Sequence, residues 1–203
     1  MKQETKIQLL PFEIELVSDA ELILTKNTIL QKLQSFLFNL ETKQKDIIKK
    51  YSSKILDEVS KISPKISKGE NYRGLPWLML DHPRYFEKNN VFAIRTMFWW
   101  GNFFCITLHL SGRFKVQLQN KILENRLFLI QHGFFLCVNK NEWEHHFESG
   151  NYKKISDHSE REFEEMIMNK PFLKIATKFP IARITGMEEM LCRSYEAIIK
   201  LLY

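Results

Sequence analysis

Between Phe92 and Leu110 the chain reads FAIRTMFWWGNFFCITLHL, two β-prone apolar runs hinged on Gly101-Asn102. Gly takes positive φ without steric cost and Asn tolerates it, so this dipeptide between such runs predicts a short hairpin. Neither run alternates polar with apolar residues. A hairpin with one wet face would alternate, so this one is expected to be covered on both faces or to offer an aromatic tip to a partner.

Helical periodicity lies to either side. Ile29, Leu30, Leu33, Phe36, Leu37 and Leu40 recur at helical spacing, and Ile47, Ile48, Tyr51, Ile55, Val59 and Ile62 resume it. Residues 25–62 therefore read as one long helix, or as a helical hairpin broken near Glu41 to Lys45. Residues Lys6 to Val17 alternate loosely around Pro11 and read as an edge strand or extended arm. Ser63-Pro64 ends the helical segment, Lys65 to Gly74 reads as a loop, and Trp77 to His82 as a short strand stopped by Pro83.

Beyond the hairpin, Phe114 to Ile130 carries a helical pattern with His132-Gly133 as its C-cap. Phe134 to Asn139 reads as a strand with Trp143 to Phe147 as its return. Ser159 with Glu162, and Thr185 with Glu188, are capping-box patterns that open helices on either side of a Phe172 to Phe179 strand. The sum is an α+β fold: a mainly antiparallel sheet of about five to six strands, a long N-terminal helical segment and flanking C-terminal helices. Residues 1–203 are read as a single α+β domain, with 72–203 as its sheet-containing core.

Composition narrows the setting. No apolar run approaches the roughly 18 residues of a spanning helix, and Glu4, Pro11, Glu13 and Glu15 break up any signal-peptide core, so a membrane span and a secretory leader are not expected. Cys105, Cys137 and Cys192 sit among apolar neighbours, which points to reduced thiols and a cytoplasmic location. The net charge of +6 favours anionic partners, although acids interleave with the lysines of the Lys43 to Lys68 stretch.

The chain contains no G-x-G-x-x-G, P-loop, G-x-S-x-G, H-E-x-x-H or C-x-x-C motif. Candidate chemistry concentrates around the hairpin. A two-residue turn at Gly101-Asn102 would set Trp100 opposite Phe103, Thr96 opposite Thr107 and Ile94 opposite His109. Thr96, Thr107 and His109 then share one face, with His109 as acid, base or ligand-orienting donor. Arg95 falls on the other face as an anion clamp. Asp81-His82-Pro83-Arg84 brings an acid, a base and a guanidinium to a strand end, with Asp81 and His82 on opposite faces. Tyr72 belongs to a rim segment, Trp100 is placed to stack on a ligand or partner, and His145 is expected to face inward with Trp143 and Phe147. His146 faces away from His145, so no metal site is expected.

These readings leave open whether the chain is an enzyme. The leading expectation is a noncatalytic ligand-binding or protein-interaction domain using the aromatic hairpin, its partner a small anionic ligand or a second copy of the chain. One alternative is an enzyme acting on a small anionic substrate, with His109, Asp81 or His82 in acid–base roles and Arg95 or Arg84 holding charge. Another is nucleic-acid binding through the Lys43 to Lys68 face, the least favoured partner. No cofactor is expected.

Overall fold

The computed structural model describes residues 7–51 and 53–203. Helix α1 (Pro11–Ser18) begins on a proline, which suits a first helical position because the N–H there has no partner within the helix. The expected extended arm is therefore helical from Pro11 onward, and Lys6 lies outside the described residues. Asp19 then caps α2 (Ala20–Ile48), its carboxylate accepting from the amides of Glu21 and Leu22 at 2.9 and 3.2 Å. Helix α2 is unbroken through Glu41 to Lys45. Its buried residues Leu33, Leu37, Leu40, Gln44 and Ile47 form one stripe, and the two turns before Ile29 bury nothing. A short α3 (Lys54–Val59) follows.

Seven strands form one antiparallel sheet: β1 (Lys65–Tyr72), β2 (Leu75–Glu87), β3 (Asn90–Trp99), β4 (Phe103–Ser111), β5 (Phe135–Cys137), β6 (Tyr152–Lys154) and β7 (Phe172–Pro180). Their spatial order is β1-β2-β3-β4-β7-β5-β6. The expected Lys65 to Gly74 loop is instead β1 and a tight turn, because Arg73 and Gly74 both adopt positive φ, 53° and 82°. Strand β2 continues beyond Pro83, with its register slipping between Asp81 and Arg84. Trp143 to Phe147 is not a strand; β6 takes that place beside β5, and residues 138–151 form a loop laid over the sheet.

Helices α4 (Gly112–Glu124), α5 (Arg126–Gln131), α6 (Glu160–Asn169) and α7 (Met187–Leu202) complete the chain. The principal core lies between the helices and the sheet face that carries Leu80, Ile94, Phe98, Phe104, Ile106 and Leu108. The opposite face holds two smaller apolar clusters, joined by Phe147 from the 138–151 loop. Both hairpin faces are thus covered, the helices on one side and this loop on the other. Among the described residues, no helix is long and apolar enough to cross a membrane.

Candidate functional site

The register of the central hairpin decides which polar residues meet. Trp99 pairs with Phe103, so the turn has three residues, Trp100, Gly101 and Asn102, with Gly101 at φ 71°. A shift of one residue moves a whole set of side chains to the other face. Arg95 therefore lies opposite Thr107, and Ala93 opposite His109. This corrects both halves of the expected pattern: Arg95 shares a face with Thr107 and His109, and Thr96 turns to the helix side. There the Thr96 hydroxyl accepts from Gln44 Nε2 at 3.2 Å.

On the loop-covered face, Asp81, Arg95, Thr107 and Ala176 are successive cross-strand neighbours, with His109 and Lys174 paired one step along. The Arg95 guanidinium grips the Asp81 carboxylate through Nε at 2.7 Å and Nη2 at 3.3 Å. Its carbon lies 5.5 Å from the centre of the Phe86 ring and 5.8 Å from that of Trp143. His109 is fully buried and its Nε2 is 2.8 Å from Glu142 Oε2. Lys174, equally buried, donates to the backbone carbonyls of Glu142 and Glu144 at 2.7 and 2.8 Å. Trp143, half exposed, sets its ring edge-on to His109 at 5.2 Å.

Burial sets the proton affinities. It pulls the His109 imidazole down to about 4 against the opposing pull of Glu142, so the ring is neutral at neutral pH. The hydrogen bond from His109 holds the Glu142 carboxyl below its usual range. A neutral ring that donates from Nε2 to this carboxylate keeps its lone pair on Nδ1. Burial also lowers the Lys174 ammonium to about 8, leaving it mostly charged at neutral pH. The Cys105 thiol is pushed up to about 12 and the Tyr152 phenol well above its ordinary value, both by burial. Three buried polar atoms of this patch, Arg95 Nη1, His109 Nδ1 and the Tyr152 hydroxyl, have no hydrogen-bond partner among the described residues.

Tyr72 fastens the loop and also lines the polar hollow beside it. Its hydroxyl accepts from the amides of His145 and His146 at 2.7 and 3.0 Å and donates to Glu144 at 2.9 Å. His145 does turn inward, edge-on to Tyr72, and burial drives its proton affinity far down. His146, expected to face away, is itself buried at the edge of a polar hollow of about 530 Å³ lined with Tyr72, Arg73, Asn139 and Glu144. Among the described residues, no group of His, Cys, Asp and Glu is arranged to hold a metal ion.

The other candidates lie elsewhere. His82 does face away from Asp81: it is buried on the helix side against Tyr195, ring centres 6.5 Å apart, and its imidazole falls to about 4 through burial. Arg84 donates to the Ser63 carbonyl at 2.8 Å. Trp100 lines an apolar groove of about 590 Å³ with Ile29, Leu33 and Phe36 of α2 and Ile181 and Ile184 after β7. The Lys43 to Lys68 stretch spans the end of α2, α3 and β1, and Lys43, Lys45 and Lys49 are in ion pairs with Glu188, Glu41 and Asp46.

Sequence reasoning missed Glu142, Lys174 and Tyr152. Lys174 had a visible signal, a lone cation at the third position of the apolar run FLKIA. Glu142 and Tyr152 had none, because only the course of the loop and the β5–β6 pairing bring them to the patch. No protein-family model matches the sequence, and no curated protein is similar to it.

Proposed function

We propose that this chain is a ligand-binding domain whose site is the polar patch of β3 and β4 beneath the 138–151 loop, and that it takes a small carboxylate or phosphate anion. The observation that carries this reading is the pair of unpartnered buried donors, Arg95 Nη1 and the Tyr152 hydroxyl, with the Lys174 ammonium 5.6 Å from the Tyr152 ring centre; the lone pair on His109 Nδ1 accepts only from a protonated ligand oxygen, such as the O–H of hydrogen phosphate. Asp81 occupies two donors of Arg95, which fixes the guanidinium plane and leaves Nη1 for a ligand oxygen. Burying Asp81, Arg95, Glu142 and Lys174 together does less for stability than apolar packing of equal volume, so binding is the better reason for the patch. Trp143 is the cover a ligand displaces. Three free thiols suit a reducing, cytoplasmic setting for such a domain.

Calorimetric titration with inorganic phosphate and with small mono- and dicarboxylates tests the reading. The expected result is saturable binding in the native chain that is lost in Arg95→Lys, whose ammonium cannot both hold Asp81 and reach a ligand. Absence of saturable binding to every probe, in the native chain and in Trp143→Ala with its cover removed, refutes it.

The His109–Glu142 pair favours a second reading, in which the bound anion is a substrate and Nδ1 of the oriented imidazole takes a proton from it. Turnover of a bound ligand that survives His109→Gln unchanged removes that reading.

A further inference from the structure

Of the nineteen exposed large hydrophobic residues among those described, eleven lie between Ile7 and Ile29. They occupy α1, the segment before it and the first turns of α2. Leu10, Phe12, Ile14, Leu16 and Val17 are each at least 52% exposed, and no residue of α1 is buried. An apolar surface this concentrated marks a contact site.

We infer that α1 of one chain docks in the groove beside Trp100 of a second copy, and reciprocally, so that the protein forms a symmetric dimer by exchange of helical arms. Charge favours this occupant. From Ile7 to Thr25 the only ionic residues are Glu13, Glu15, Asp19 and Glu21. The groove is flanked by Lys32 and, between Ile181 and Ile184, by Arg183; neither has an ion-pair partner among the described residues. Dimensions agree as well. Eight residues of α1 span about 12 Å, and the groove wall from Ile29 to Phe36 about 10 Å.

Helix α1 folded back along α2 does not reach the far end of its own groove. Helix α1 meets α2 at Asp19, and Phe36 stands about 25 Å further along that rigid helix, twice what α1 spans when folded back. A second copy has no such restriction, and a two-fold exchange uses the same contact twice. An anionic lipid surface fits less well, because interfacial helices of that kind carry lysine and arginine on the polar face.

Light scattering coupled to size exclusion, with sedimentation for dissociation constants, tests the inference on the full chain. The native chain is expected to be a dimer. The arm variant Leu16→Asp and the groove variant Ile184→Asp change exposed positions, so their circular dichroism should match the native chain while each weakens dimerisation roughly a hundredfold. An equimolar mixture of the two retains one intact arm and groove pair and should associate more than either alone. A native monomer, a native monomer that co-sediments with anionic vesicles, or a dimer indifferent to both variants overturns the inference.

Discussion

Replacing His109 with glutamine exposes the electrostatics of the buried patch. The native imidazole titrates near 4 because it is enclosed, whereas in the unfolded chain it titrates near its ordinary 6.5. Between these values the unfolded state binds a proton that the folded state does not, so stability falls as the pH drops through this window. For the shift from 6.5 to about 4, the loss between about pH 7.5 and about pH 5 works out at about 2 kcal/mol from His109 alone. Glutamine at this position keeps an amide donor for Glu142 and does not titrate. Urea unfolding of both proteins at the two pH values should therefore give a native decrease about 2 kcal/mol larger than that of His109→Gln. His82, lowered to a similar value, contributes to both proteins and cancels in the difference. Equal decreases in the two proteins would mean that His109 takes up a proton in the folded state, and the neutral His109–Glu142 pair would fall.

Two further outcomes follow from the geometry. In Lys174→Met the Glu142 and Glu144 carbonyls lose charge-assisted bonds of about 1.5–3 kcal/mol each, offset by about 3 kcal/mol no longer spent on burying the ammonium; amide exchange at His145 and His146 should rise about tenfold, and unchanged protection would show that Lys174 does not hold the loop. Gly112 has φ 56°, and a Cβ there would stand 2.0 Å from the Asn89 carbonyl oxygen, whereas Gly101, at φ 71°, has open space around it. Gly112→Ala should therefore cost at least about 2 kcal/mol more than Gly101→Ala, a melting temperature lower by about 4–8 °C, and equal melting points would contradict the close approach.

Much of the architecture was legible because it depends on periods within single segments. The apolar spacing from Ile29 to Leu40 announced α2, the Ser159–Glu162 box announced α6, and Phe172 to Phe179 announced β7. The polar β1, KISKGENY, escaped notice because an edge strand this exposed has no apolar alternation to display. Pro11 misled in the other direction: it reads as a breaker, yet at the first turn it helps a helix begin.

The sequence by itself determined that the aromatic hairpin would be either covered on both faces or offered as a tip to a partner, since runs without alternation leave no side for water. It also singled out three polar residues on that hairpin, Arg95, Thr107 and His109. Tertiary structure alone decided their company. One additional residue in the turn, Trp100, moves Arg95 across the sheet to His109 and sends Thr96 into the helix-side core. Local preference hardly separates a two-residue from a three-residue turn, whereas packing of the whole sheet against α2 and the 138–151 loop does. The same packing brings Glu142, Lys174 and Tyr152 from distant positions to complete the patch, because cross-strand pairing and loop course depend on contacts between segments that no single segment encodes.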